Sequence, residues 1–333
     1  MSSRLIIADV FDGLASLPDK SVDLVMSSPP FLGLRSYLPD NHPNKRNEIG
    51  LEPTPADFID TLLDVVEACN RVLTCHGSLV FELGDTYATS KPNDGNWPLE
   101  KSLSGIPTLF AWSLAYGRNL LRPDRTTEPW RIRNVVVWCR PNPPVGFLGD
   151  KFRPATSYLI VATKTKDRWF DLDSVRTPHK DLVWANRSHI GRRNQVRAIT
   201  GLSSNSSGGT SNPIGAPPLD YWEISPSPYK GSHYATYPAE LCEKPIKAMC
   251  PREVCRKCRK PRRRLNESDW TDCGHDDYRL GVVLDPFAGS GTTLAVANGN
   301  GRDAIGIDID ERNVELTQQR VGMFLSVENL KES

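Results

Sequence analysis

Asp285-Pro286-Phe287-Ala288-Gly289-Ser290-Gly291-Thr292-Thr293 closes the apolar run that starts at Gly281 and opens a helical stretch, Thr292 to Gly299. A second strand pattern, Ala304 to Asp308, and a second helix, Glu311 to Phe324, come next. Strand, helix and strand in this order predict a parallel sheet with crossover connections. The glycines allow a sharp turn and a close approach of backbone to ligand. The helix N-terminus offers free N–H groups suited to a carboxylate. Asp308, ending the next strand, is placed to accept hydrogen bonds from ribose hydroxyls. A phosphate-binding loop would need lysine after Gly291, and Thr292 stands there. A dinucleotide loop prefers a third glycine where Leu294 stands. A tight strand–helix turn with no ligand is the remaining alternative.

Near the other end of the chain, Leu5 to Asp9 reads as a buried strand, Leu17-Pro18-Asp19 as a turn and Val22 to Ser27 as the next strand. Ser28-Pro29-Pro30-Phe31 follows directly. Ligands of open parallel sheets bind beyond the carboxyl ends of strands. Two prolines fix φ and lack N–H groups, so they hold a rigid loop whose carbonyls can point inward. Alone, the four residues also read as a plain turn after a strand. Further helices are expected over Pro55 to Leu73, capped by Thr54, and Pro107 to Leu121. Strands are expected over Gly77 to Leu83, Asn134 to Trp138 and Tyr158 to Ala162.

The Asp285 string resembles the motif D-P-F-x-G-S-G-T of S-adenosylmethionine-dependent DNA amino-methyltransferases, nearly letter for letter. Ser28 to Phe31 resembles their catalytic tetrad, [D/N/S]-P-P-[Y/F/W]. The tetrad precedes the cofactor motif, as in the circularly permuted beta order, and the resemblance extends over most of the chain. It implies an α/β, Rossmann-like class I methyltransferase with a mixed, mostly parallel sheet. It implies S-adenosylmethionine as cofactor and catalysis by Ser28, Pro29, Pro30 and Phe31: an exocyclic base amine would donate hydrogen bonds to the Ser28 hydroxyl and the Pro29 carbonyl, which helps localise its lone pair for attack on the sulfonium methyl, and Phe31 would stack on the flipped base. Asp9 resembles the acid that contacts the cofactor's adenine, although a strand-end cap explains it equally well. His233 to Pro238 resembles the segment lining the methionine pocket, which adds Thr236, Tyr237 and Pro238. The implied cofactor set is completed by Asp285, Pro286, Phe287, Gly289, Ser290, Gly291, Thr292 and Asp308. Serine in the first tetrad position resembles the cytosine-N4 subgroup; aspartate is commoner in adenine-N6 enzymes.

Cys255-x2-Cys258 followed by Cys273-x-His275 fits one tetrahedral zinc, with Cys250 a competing ligand and ordinary reduced cysteines the alternative. Eight basic residues crowd Arg252 to Arg264 against one acid, Glu253, and suggest phosphate contacts or a solvated basic loop. Net charge itself is uninformative, with 41 Lys and Arg against 40 Asp and Glu. Residues 198–218 lack apolar period and read as a mobile loop. Sequence readout is expected between Val175 and Tyr229, where Arg187, His189, Arg192, Arg193, Asn194 and Arg197 offer phosphate or base contacts. Trp184, Tyr221 and Trp222 are candidates for stacking near the flipped base or for core packing. The division expected is a catalytic half over 1–174, a recognition region over 175–230, a pre-cofactor motif over 231–249, a zinc knuckle over 250–280 and a cofactor half over 281–333. No secretory signal or membrane span is read, and the eight cysteines suit a reducing cytoplasm. Double-stranded DNA is the expected partner; a homodimer and a cognate restriction endonuclease are candidates. The competing readings are an inactive DNA-binding homologue and a nicotinamide-dependent dehydrogenase.

Overall fold

The computed structural model describes residues 1–88, 96–143, 149–179, 212, 214–226, 237–265 and 269–330. The chain divides into two compact units, 1–170 with 220–333, and 171–219.

The first unit is built on a nine-stranded sheet. Its strands are β1 (Ser3–Ile7), β2 (Val22–Ser27), β3 (Leu73–Leu83), β4 (Arg131–Cys139), β5 (Thr156–Thr163), β6 (Tyr221–Glu223), β9 (Val282–Asp285), β10 (Asp303–Asp308) and β11 (Leu325–Asn329). β7 (Glu253–Cys255) and β8 (Tyr278–Leu280) pair separately as an antiparallel ribbon. The sheet order is β11-β1-β10-β9-β2-β3-β5-β4-β6, and every neighbour pair is parallel except β3–β5 and β5–β4. Among the described residues, six helices flank it: α1 (Val10–Ala15), α2 (Pro55–Val72), α3 (Ile106–Tyr116), α4 (Ala239–Met249), α5 (Thr292–Gly299) and α6 (Asn313–Val321). They form two runs of contact, α1–α2–α3 and α4–α5–α6. Cover on both faces explains why all six residues of β2 are buried.

α2 shows how sequence sets these elements. Thr54 accepts the Asp57 N–H at 3.1 Å as N-cap, and Pro55 occupies the first turn, where its missing N–H costs nothing. Phe58, Leu62, Val65, Val66 and Cys69 then recur at helical spacing and are fully buried. α3 stops at Gly117, whose φ of +63° ends the helix before the expected Leu121. From α3, Phe110 stacks on Phe81 of β3 with centroids 5.9 Å apart.

In the second unit, Asp173–Val175 forms a 3-10 turn and Thr177 pairs with Ala216 in an antiparallel bridge. Arg187, His189, Arg192, Arg193, Asn194, Arg197 and Trp184 lie outside the described residues, as does most of the stretch expected to be a loop.

Candidate functional site

The sheet reverses its winding between β9 and β2. From β9 the chain continues through α5 to β10 on one side, while β2 is followed by β3 on the other. Ligand crevices of α/β sheets open at such a switch point, beyond the strands' carboxyl ends. Leu24 and Val25 pair with Val283 and Leu284, so the two strands end side by side. Ser27 Oγ donates to Asp285 Oδ1, which ties the loop after β2 to the loop after β9.

An open cleft of about 870 Å³ lies there. Ser28, Pro30, Tyr237, Pro286, Phe287, Gly289, Ser290, Thr292 and Asp308 all line it. The structure therefore gathers half of the tetrad and most of the cofactor-loop residues around one space. Several others stand behind the wall. Asp285 is 1% exposed, and Phe287 N–H and Thr293 Oγ also donate to its carboxylate, at 3.1 and 2.5 Å. Tyr237 donates its hydroxyl proton to Asp285 at 3.1 Å, so its ring faces the cleft while its oxygen points inward. Asp285 is thus an organiser of the loop, and burial pushes its carboxyl upward against these hydrogen bonds. Gly291 takes a φ of +76° where α5 begins; a Cβ there would lie 2.6 Å from Thr317 Cγ2. Pro29 is buried, and Pro238 caps α4. Thr236 lies outside the described residues.

Asp308 lines the cleft, yet its carboxylate already has protein donors. Gly289 N–H reaches it at 2.6 Å, Asp310 N–H at 2.8 Å and Asn313 Nδ2 at 3.1 Å. Burial pushes its carboxyl up to about 6 despite them. Asp9 does not line the cleft, although its neighbours Ala8 and Val10 do. It is the N-cap of α1, accepting from Phe11 and Asp12 N–H, and it meets Asn47 Nδ2 at 3.3 Å.

Two contributors escape motif reading. The segment after the tetrad brings Tyr37, Asn47, Glu48 and Ile49 to the cleft. Arg312 Nη2 donates to the Tyr37 carbonyl at 2.7 Å, pinning that segment to the loop after β10. The other is Glu82 of β3, 3% exposed, whose Oε2 accepts the Ser28 hydroxyl at 2.6 Å. Its Oε1 is buried with no hydrogen-bond partner among the described residues. Burial raises the Glu82 carboxyl above its ordinary value, and the nearby Ser157 and Ser28 hydroxyls and the Arg140 charge oppose the rise. The signal available in sequence was an acid amid the apolar run Leu79-Val80-Phe81-Glu82-Leu83. Phe31 packs its ring over Gly84, where a Cβ would come within 2.6 Å of Phe31 Cε2.

Away from the cleft, the ligand atoms of Cys255, Cys258, Cys273 and His275 lie within 4.8 Å of one another. Cys250 is not among them: it is fully buried, with Sγ 3.7 Å from the Pro251 carbonyl. Tyr221 is 49% exposed, and Trp222 is half-buried under the Lys244 ammonium.

A doubly wound sheet with a glycine turn and a Ser-Pro-Pro-Phe loop at its switch point defines a class I methyltransferase fold. Residues 22–319 match the DNA methylase family, and the chain belongs to it. It is an S-adenosylmethionine-dependent DNA amino-methyltransferase. Type II methyltransferase M.SmaI of Serratia marcescens is 24% identical over 96% of this chain and 91% of its own. The PvuII DNA methyltransferase, cytosine-N4-specific, superposes with a TM-score of 0.59 over 96% of this chain and 86% of its own, at 17% identity. A Thermus thermophilus protein, a DNA modification methylase by assignment, was solved with S-adenosyl-L-methionine. It superposes at 0.53 over 98% of both chains with 20% identity. These two likenesses are likenesses of fold. Among the described residues, no helix is long and apolar enough to cross a membrane.

Proposed function

We propose that this enzyme methylates the N4 amine of cytosine in duplex DNA, with Ser28, Pro29, Pro30 and Phe31 as its catalytic tetrad. The observation that carries the reading is the hydrogen bond from Ser28 to buried Glu82, at 2.6 Å. With its proton committed to the carboxylate, the Ser28 oxygen keeps lone pairs for an N–H of the target amine. The Pro29 carbonyl takes the other N–H, and the amine is left with a localised pair. Bound S-adenosylmethionine supplies the electrophilic methyl group. As the nitrogen forms its new bond, Ser28 receives an amine proton and passes its own to Glu82. Placement of the acceptor within reach of the methyl accounts for much of the remaining acceleration.

The cleft fits this cofactor by its donor set. The apolar walls Ala8, Val10 and Ile309 suit an adenine, Asp308 and Asp310 lie within reach of a ribose, and the start of α5 faces the cleft at Ser290 and Thr292, where a carboxylate would sit. Asp9, Thr236, Tyr237, Pro238 and Asp285 complete the proposed cofactor set, Asp285 and Pro238 by holding the loops in place. Residues 175–230 are the proposed recognition region. The exposed Arg252, Lys257, Arg259 and Lys260 are proposed to meet DNA phosphates.

Treating genomic DNA with enzyme and labelled cofactor, then digesting it for nucleoside mass spectrometry, tests the assignment. N4-methylcytosine is the expected product. N6-methyladenine alone would replace cytosine by adenine as the target.

A further inference from the structure

The geometry points to a structural zinc ion held by Cys255, Cys258, Cys273 and His275, which fixes β8 and, through Arg279, clamps the strand that carries the catalytic tetrad. All four side chains come from the β7–β8 module. Cys255 ends β7, and Cys258 returns to it through a turn in which Arg259 adopts φ +59°. The Cys258 N–H donates to Cys255 Sγ at 3.4 Å, an interaction that favours a thiolate. Gly274, at φ +73°, and Asp276, at φ +42°, curl the second loop so that Cys273 and His275 face the first pair.

The separation of Cys255 and His275 fits zinc. Tetrahedral Zn–S and Zn–N bonds of about 2.3 and 2.0 Å place a sulfur and a nitrogen ligand about 3.5 Å apart. Cys255 Sγ and His275 Nδ1 are 3.5 Å apart. Four protein ligands leave no open position, so the ion acts by holding structure, not by activating water. Soft thiolates with one imidazole select zinc over magnesium or calcium.

What the module holds is the base of β2. Arg279 lies on β8, four residues after His275. Its guanidinium meets Asp23 Oδ2 at 2.5 Å and Oδ1 at 3.0 Å. Asp23 is the second residue of β2 and is fully buried; His76 Nε2 at 2.9 Å, Val282 N–H at 2.9 Å and the Thr74 hydroxyl at 3.4 Å are its other partners. A buried carboxylate robbed of its guanidinium is strongly destabilising. The β7–β8 ribbon has only three residues per strand, too few to hold its shape without a cross-link. Metal binding thereby reaches the sheet: the ion fixes the ribbon, the ribbon positions Arg279, and Arg279 neutralises Asp23 below Ser28.

Full-length enzyme purified without chelator is assayed for metal by plasma mass spectrometry, and the chelated protein is refilled with cobalt(II). About one zinc per chain is expected, with a cobalt absorption spectrum of tetrahedral thiolate type. Cys273→Ser and His275→Ala should each lose most of the metal, while Cys250→Ser keeps it. Chelation should lower the melting midpoint by more than about 5 °C and speed amide exchange in residues 22–27. Less than a tenth of an ion per chain together with no cobalt spectrum would overturn the zinc site, as would a disulfide between Cys255 and Cys258. Zinc present but exchange in β2 unchanged on its removal would overturn the clamp. None of these readouts depends on which base is methylated.

Discussion

Ser28 and Glu82 make a testable pair because the first needs the second only in the reaction. Ser28→Ala should lower kcat by about 10²-fold or more and leave the cofactor dissociation constant little changed, measured by single turnover and calorimetry. Equal losses in both would remove Ser28 from the chemistry. Glu82 must be ionised to hold the Ser28 proton, and burial raises its carboxyl above the ordinary 4.5. Activity should therefore fall as pH drops through that raised value, giving an acid limb of kcat above pH 4.5. Glu82→Gln should abolish the limb along with most of the rate. An unchanged limb in the variant would assign it to another group. Gly84 offers a steric test: its replacement by alanine must displace the Phe31 ring. Gly84→Ala should weaken kcat/KM for DNA and spare cofactor binding. At this scale the sequence revealed Ser28 through its motif but hid Glu82, because pairing between residues 54 apart has no local signature.

The strand–turn–helix at β9 and α5 was the most legible element. Its strand, glycine turn and helix all lie where the letters put them, with the helix over Thr292–Gly299. Local sterics decide such a turn, so local sequence reports it. Gly291→Ala meets both a left-handed φ and Thr317, and should cost about 1–2 kcal/mol for the backbone alone. It should lower the melting midpoint and weaken cofactor binding together; a variant with normal affinity would show that the turn tolerates a side chain. Other elements were harder to read. α4 buries Leu241, Cys242, Pro245, Ile246 and Met249 at helical spacing, but Pro245 inside it argues against a helix locally. The proline removes only the bond to Leu241, and packing against β2 and α5 outweighs that loss. β11 is partly exposed and mixes Ser326, Glu328 and Asn329 with its apolar residues, so only pairing with β1 makes it a strand. Asp9 shows how one residue carries a local role that its motif does not mention: the carboxylate caps α1, and its flanking residues reach the cleft.

Across the whole molecule, buried carboxylates act in opposite senses on stability. Asp308 titrates near 6 in the fold against 3.8 when free, so the native state binds its proton more readily. Its stabilising contribution is complete below pH 3.8 and is lost as pH rises through about 6. Asp23 runs the other way. Burial pulls it upward, but hydrogen bonds from His76 and Arg279 outweigh burial and leave it below 3.8. Its contribution is present above that value and is lost as pH falls through its lowered folded value. Melting followed between pH 4 and 7 should show Asp308→Asn flattening the decline through pH 6. The same slope in the variant would place the titration elsewhere. Overall architecture was legible because two strand-end motifs implied one parallel sheet; the three-strand extension β5-β4-β6 was not, since nothing in those strands specifies their neighbours.

The sheet also imposes a schedule. β2 lies between β9 and β3, and Asp23 takes its guanidinium from a residue 256 positions further on. β1 likewise waits for β10, which begins at Asp303. At ribosomal speeds the delay is on the order of tens of seconds. During it the nascent chain carries strands with open backbone edges and a carboxylate without its counter-ion. Slower translation should lengthen that exposure and lower soluble yield, and holdase chaperones binding apolar strand edges should restore it.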